Sequence, residues 1–212
     1  ARARAGGVDA RSAVNLLLVS VDSLRLDHVA RVPGAPVATP RFDDASAAKR
    51  PTVQVGDPFA EKLLIEASLE LIELGLVEGL QDLGAGGITC ATSETADRAG
   101  TGILVDLDAI PRREPGMAPF EVMISESQER MLAVVRPERW PDGRAVCGRW
   151  GRPVAVIGRV TADGDIAIVE GGLADDGRPN PGAVEIARIP AAALTSDAIV
   201  HERLAAPPAR RR

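Results

Sequence analysis

The sequence predicts an α/β (α+β) fold, a mixed β-sheet flanked by helices, and three observations carry that expectation. Residues 51–151 alternate short β-like runs with helical runs, and residues 152–190 hold three β-like runs in succession. Early interleaving followed by late clustering of strands fits helices packed against a mixed sheet. The third observation is the palette: the 212 residues are 45% hydrophobic and 2% aromatic, so the core is built from Val, Ile, Leu and Ala. A chain of this length fits one ordinary domain, or one domain plus an incomplete second segment, and can bury a real core.

Composition also excludes function classes. A net charge of −5 lacks the basic field that non-specific nucleic-acid binding requires, so no nucleic-acid partner is expected. Cys90 and Cys147 lie in unrelated contexts with no CxxC pair, which points to a reducing, cytoplasmic setting and to neither a disulfide framework nor a thiolate zinc site. The uncharged apolar run at 14–21 is too short to span a bilayer, and no membrane partner is expected. His28 and His201 stand far apart without partner motifs and read as solvated.

The elements follow in order. Residues 1–50 hold Arg/Ala-rich patches, a β-like run "NLLLVSVDSLRL" and a Pro/Ala-rich loop at 33–40. "VQV" is a short strand, and Asp57 with Pro58 supplies an N-cap and a first-turn proline. In "FAEKLLIEASLELIELG", Leu63, Leu64, Ala67, Leu71 and Leu74 fall on one stripe, opposite Glu61, Lys62, Glu66, Glu70 and Glu73, with Gly75 closing the helix. "LVEGLQDLG" reads as a strand, "GGITCATSETADRAG" as a helix and "GILVDLDAI" as a strand. "FEVMIS" then reads as a short helix, "ERMLAVV" as a strand, and residues 137–140 as the start of a helical turn. "VAVIGRV", "DIAIVEG" and "VEIARIP" are three strands, with Asp163-Gly164 as a hairpin turn between the first two.

The stretch "LQDLGAGGITCATSE" carries the chemistry. A loop leaving a strand for a helix exposes unpaired N–H groups, and Gly84, Gly86 and Gly87 let backbone approach an anion such as phosphate. Asp82, just before them, becomes useful if Mg²⁺ sits between it and that phosphate. Such turns also serve tight packing. "SESQERM" places Glu126, Ser127 and Gln128 between an apolar helix and an apolar strand, where they either face a ligand or form a solvated loop. Gln54 adds a polar side chain inside the β-like run before a glycine turn.

The stretches "RPTVQVGDPFAEKLLIEASLELIELGLVEGLQDLGAGGITCATSE", "IPRREPGMAPFEVMISESQERMLAVVRPE" and "IPAAALTSDAIVHER" together resemble the large (synthetase) subunit of phosphoribosylformylglycinamidine synthase, from about Phe42 to the C-terminus. The resemblance implies a domain like the C-terminal one of aminoimidazole ribonucleotide synthase, a fold shared with selenophosphate synthetases. It implies an ATP-dependent ligase of purine biosynthesis: ATP phosphorylates the amide oxygen of formylglycinamide ribonucleotide, and ammonia from glutamine displaces the phosphate to give formylglycinamidine ribonucleotide. Carried over position by position, Gln54, Glu126, Ser127 and Gln128 bind substrate and Asp82 binds Mg²⁺. Gly84, Gly86 and Gly87 remain the phosphate candidates. No residue of the chain is assigned a catalytic role, because the family's ATP-binding domain supplies those groups and has no counterpart in the sequence. The implied partners are formylglycinamide ribonucleotide, the ATP-binding and second synthetase halves, and a glutaminase subunit. The alternative function is a non-catalytic module that binds a nucleotide or ribose phosphate.

Residues 14–43 are instead similar to the opening segment of sulfatases, which would make Asp22 a metal ligand, though no "CxPSR"-like motif follows. The expected division is therefore an N-terminal segment 1–45 that packs poorly or not at all on the rest, a synthetase-type domain at 51–204 and a basic tail at 205–212, with a junction near Phe42 and Asp43. If the resemblance holds, Gln54, Asp82 and Glu126 converge on one face, and the isolated chain neither hydrolyses ATP nor makes the amidine.

Overall fold

The structure, a computed structural model, describes residues 15–20, 56–112 and 116–200. They form a seven-stranded sheet of order β2-β4-β1-β5-β3-β6-β7. The strands are β1 (Asn15–Ser20), β2 (Gly79–Asp82), β3 (Gly102–Asp106), β4 (Arg130–Val135), β5 (Val154–Thr161), β6 (Asp165–Glu170) and β7 (Val184–Pro190). Four α-helices cover it among the described residues: α1 (Pro58–Glu73), α2 (Gly87–Ala99), α3 (Pro119–Ile124) and α4 (Trp140–Arg149). All neighbouring strands pair antiparallel except β3 and β6, which run parallel. The sheet is therefore mixed, as the sequence predicts.

Helix α1 starts and stops where its chemistry dictates. The Asp57 carboxylate accepts from the N–H groups of Phe59 and Ala60, both at 3.0 Å, and Pro58 occupies the first turn. At the other end Gly75 takes a left-handed φ of 64°. Its N–H donates to Ile72 O while Leu76 N–H donates to Leu71 O, each at 3.0 Å, a Schellman closure. Ala60, Leu64, Ala67 and Leu71 are buried. The inward stripe thus begins one turn before the expected one, and Leu74, assigned to it from spacing, is the C-cap and 54% exposed.

Strand β4 explains why helices lie on both faces. Its side chains alternate, and Leu132 and Val134 join a core with Ile88, Ala91, Ile103, Val105 and Ile157, beneath α2 and α3. Ala133 and Val135 join a second core with Leu64, Leu71, Val146 and Cys147, beneath α1 and α4. A strand buried on both faces reads as an unbroken apolar run, and "RMLAVV" does. Glu70 fastens α1 to the end of α4: its Oε2 accepts from Trp150 Nε1 at 2.7 Å, and its Oε1 meets Arg149. The Trp150 hydrogen bond, aided by Arg149, holds the Glu70 carboxyl below the usual range.

Two expectations are corrected. Strand β1 does not stand apart from the domain: Leu17 pairs with Ala133 of β4 on one side and with Val156 of β5 on the other, inside the sheet. The Asp163-Gly164 turn does join β5 to β6, but the two strands are not neighbours, because β3 lies between them. The turn passes over the first residue of β3, and a Cβ at Gly102 would run into Asp163 Oδ1, Thr161 Oγ1 and Asp165 O. Only glycine fits there. The "VQV" strand, Asp22, His28, His201 and the basic tail lie outside the described residues. Among the described residues no helix is long and apolar enough to cross a membrane.

Two substitutions test this packing by urea denaturation. Leu71→Ala removes the side chain shared by α1, its Schellman closure and β4, and is expected to cost about 2–5 kcal/mol. Asp57→Ala removes the cap alone and is expected to cost about 1 kcal/mol; a larger cost for the cap than for the core residue would contradict the packing described.

Candidate functional site

Three loops meet at one end of the sheet. Strand β2 runs antiparallel to β4 with Asp82 opposite Met131, and β1 runs antiparallel to β4 with Ser20 opposite Arg130. The carboxyl ends of β1 and β2 and the amino end of β4 therefore share an edge. The loop at 83–86 leaves β2 for α2, the loop at 125–129 leaves α3 for β4, and the start of α1 lies against the second of these.

The glycine loop is shaped by the chain's own atoms. Asp82, the last residue of β2, is exposed and accepts a 3.1 Å hydrogen bond from Gln81 Nε2. Leu83 N–H donates to Arg130 O at 3.3 Å, which fastens the loop to β4. Gly86, at φ 74°, is the N-cap of α2, and Gly87 follows at φ 54°. Cys90 Sγ sits where a Gly86 side chain would go, and the carbonyl oxygen of Ser125 sits where a Gly87 side chain would go. Packing thus accounts for glycine at both positions, whereas at Gly84 the nearest atom is Asp82 Oδ2, 3.1 Å from a built Cβ. Of the two readings of this turn, tight packing explains Gly86 and Gly87 without any ligand.

Residues 125–129 form a knitted turn and not the solvated loop that composition allowed. Ser125 is buried, its Oγ lies 3.0 Å from Ser127 Oγ, and Gln128 Nε2 donates to Glu126 O at 3.0 Å. The Glu126 carboxylate accepts from Gly86 N–H at 3.4 Å, bridging the two loops. Glu129 adopts a positive φ of 56°, rare for a residue with a side chain, and its carboxylate accepts from Asp57 N–H at 2.8 Å. That bond draws the start of α1 into the same edge. Thr89 Oγ1, donating to Met123 O at 3.1 Å, adds a further tie between α2 and α3.

The structure thus brings Asp82, Gly86, Glu126 and the start of α1 to one edge of the sheet. Gln54, three positions before Asp57, lies outside the described residues. Sequence reasoning missed Glu129 and Arg130, the residues that hold this arrangement together. An arginine opening an apolar strand was the available signal, because a buried guanidinium must find acceptors. Arg130 is 7% exposed, and desolvation pushes its guanidinium down to about 10, so it stays a cation at neutral pH. Partial burial, then Glu94 and Glu126, raise the Cys90 thiol, while burial pushes Cys147 up to about 11.

For a metal, the donor chemistry is limited. Among the described residues no group of three or more His, Cys, Asp or Glu side chains is placed to hold an ion. The exposed Asp82 carboxylate is a hard oxygen donor that suits one position on Mg²⁺. The buried carboxylate of Asp106, at the end of β3, is engaged by the N–H groups of Asp108, Ala109 and Leu173 at 3.0, 3.3 and 3.1 Å and serves the loops around it.

Comparison with known proteins gives this geometry a context. Residues 32–170 match the family model for AIR synthase related protein, C-terminal domain. Among curated relatives, phosphoribosylformylglycinamidine synthase subunit PurL of Moorella thermoacetica is 50% identical over 170 residues, covering 80% of this chain and 22% of that one. The PurL of Gluconobacter oxydans is 47% identical over 174 residues, covering 82% and 22%. The chain therefore spans about a fifth of the length of the curated relatives it matches. Among solved structures, T. maritima PurL complexed with ADP superposes with a TM-score of 0.66 at 29% identity over 98% of this chain and 29% of that one. T. maritima PurL complexed with FGAR gives 0.64 at 30% identity over 97% and 32%. E. coli HypE, a hydrogenase maturation protein, shares the fold at 18% identity and a TM-score of 0.52. The family model reaches back to residue 32, ahead of Phe42, and β1 belongs to the same sheet. The sulfatase-like reading of residues 14–43 is not supported.

The Glu126 carboxylate and the Cys90 thiol flank Gly86, which makes the thiol a reporter. Removing a nearby negative charge lowers a raised thiol and increases the thiolate, the form that alkylates. Glu126→Gln is expected to speed iodoacetamide labelling of Cys90 at pH 8 by about two- to threefold, with Cys147 unlabelled until unfolding. An unchanged rate would contradict the placement of Glu126 beside Gly86.

Proposed function

The chain belongs to the AIR synthase related family, matching its C-terminal domain, and from that premise we propose that it is a piece of an ATP-dependent ligase of purine biosynthesis. The reaction is conversion of formylglycinamide ribonucleotide, with ATP and glutamine-derived ammonia, to formylglycinamidine ribonucleotide. The observation that supports this reading best is the meeting of three motifs: Glu126 with Gly86, and Glu129 with Asp57. Motifs that serve one ligand must gather at one edge, and these, far apart in sequence, meet that requirement.

In this reading Gln54, Glu126, Ser127 and Gln128 hold the acceptor ribonucleotide. Their hydroxyl, amide and carboxylate groups match a ligand rich in hydroxyls and amides. Asp82 would hold a Mg²⁺ ion through a carboxylate oxygen, together with groups the ligand or another domain brings. The ion, when bound, neutralises phosphate charge. Gly84, with the most room of the three glycines, is the place for phosphate to approach the backbone, and the N–H of Gly86 opens to an anion only if Glu126 turns away. Catalysis in this class of reaction is mostly positioning and electrostatics, and this chain contributes the positioning of the acceptor.

ATP is a cosubstrate met by a separate ATP-binding domain, and the partners are that domain, a second synthetase half and a glutaminase, in the cytoplasm. The relatives support the nucleotide cosubstrate and the glutaminase: T. maritima PurL has been solved with ATP, ADP and AMPPCP, and as PurLQS. A purine auxotroph rescued only when the chain is co-expressed with an ATP-binding half separates the ligase from a module that binds without turnover.

Calorimetric titration of the chain with formylglycinamide ribonucleotide, with and without Mg²⁺, tests the site. The wild type is expected to bind more tightly with Mg²⁺. Asp82→Asn is expected to abolish that difference while changing stability by less than about 0.5 kcal/mol, because the side chain is exposed. A Mg²⁺ effect that survives in Asp82→Asn would overturn the metal assignment, and absence of binding by the wild type would overturn the substrate assignment.

A further inference from the structure

We infer that Arg130 is a positioning residue of this site, whose side chain sets the place of the turn at 125–129. It opens β4 and is nearly buried, at 7% exposure. Its Nε donates to Ser127 O at 2.9 Å, and its Nη2 donates to Ser125 O. Its own carbonyl accepts Leu83 N–H from the glycine loop. The side chain therefore fixes the turn that carries Glu126, Ser127 and Gln128, and the main chain of the same residue ties down the turn that follows Asp82.

The anchor is itself fixed from both flanks. In the ladders Arg130 lies opposite Ser20 of β1, and the next residue, Met131, lies opposite Asp82 of β2. Any shift of β4 would carry both loops with it. The buried cation is met by carbonyl dipoles of the loop it organises, so its desolvation is offset only when that loop is in place. A guanidinium is suited to this because its donors lie in one plane in fixed directions and reach two carbonyls together, which an ammonium cannot do. The left-handed backbone of Glu129 completes the arrangement, allowing adjacent side chains to serve opposite tasks: Glu129 reaches Asp57 N–H while Arg130 turns inward. Residues held in sparsely populated backbone regions concentrate at functional sites.

This inference rests on the reading of residues 126–128 as holding the acceptor ribonucleotide. The test compares Arg130→Lys with Ile157→Val, a core change in β5 remote from both loops, by amide hydrogen exchange and by calorimetric titration with formylglycinamide ribonucleotide. Arg130→Lys is expected to speed exchange at 125–129 by about tenfold, the loss of one charge-assisted hydrogen bond, while Leu83 N–H, bonded to a main-chain carbonyl that lysine keeps, and β3 and β6 stay as protected as in the wild type. Affinity for the ribonucleotide is expected to fall by a similar factor, whereas Ile157→Val leaves affinity unchanged. Loop exchange unaltered in Arg130→Lys, exchange raised uniformly across the sheet, or loss of cooperative folding would each overturn the inference. A wild type that does not bind the ribonucleotide counts against the functional reading, and the exchange pattern still decides the role of Arg130.

Discussion

The contact on which the rest of the site depends is the seating of Gly87 against the carbonyl of Ser125. Any side chain at 87 would occupy the carbonyl's position. Because none is there, the start of α2 closes onto the end of α3, and the Met123 carbonyl comes within reach of Thr89. Gly86 N–H then faces the Glu126 carboxylate. Move α2 outward by the width of a methyl group and each of these bonds lengthens beyond use, since hydrogen bonds weaken steeply with distance and misalignment. The two loops form one structural unit because backbone meets backbone there without a side chain between them.

Electrostatics at this edge follow from the same closeness. Among the described residues, the carboxylates of Asp82, Glu94, Glu126 and Glu129 lie along α2 and the loops beside it, and the buried cation Arg130 opens β4. Its guanidinium is paired with carbonyl oxygens, and two of the carboxylates accept from N–H groups: Glu126 from Gly86, and Glu129 from Asp57. Gln81 spreads part of the charge by bridging Asp82 and Glu94, with Arg98 closing the ladder at 3.1 Å from both Gln81 and Glu94. Carboxylates such as the exposed Asp82 favour a phosphate accompanied by a divalent cation over a bare one, in keeping with the proposed Mg²⁺-dependent ligand.

Much of the fold was legible because it is locally encoded. Asp57, Pro58 and Gly75 bound α1 through contacts within a few residues, and the apolar run in "RMLAVV" identified β4. What was not legible depends on partners distant in sequence. The central place of β1 comes from pairing with residues 130–135 and 154–159, which no local pattern in "NLLLVS" reveals. The separation of β5 from β6 by β3 is invisible for the same reason: a tight turn between two strands normally makes them neighbours, and only Gly102, bare beneath that turn, marks the exception. At the site, the polar residues could be picked out individually, but the carboxylate of Glu129 and the guanidinium of Arg130 were hidden in what read as the start of an ordinary strand. The glycines of "QDLGAGG" were read as letting the backbone approach an anion. The atoms that approach Gly86 and Gly87 belong to Cys90 and Ser125, a fact that spacing cannot supply.

The central claim is that the loops after β2, before β4 and before α1 form one site for one ligand. The most direct measurement is a nuclear magnetic resonance titration of the ¹⁵N-labelled chain with formylglycinamide ribonucleotide, following the amides of Asp57, Gly86 and Gln128. The account predicts that all three shift along a single binding curve with one dissociation constant. Shifts confined to one loop, or three curves with separate midpoints, would contradict it.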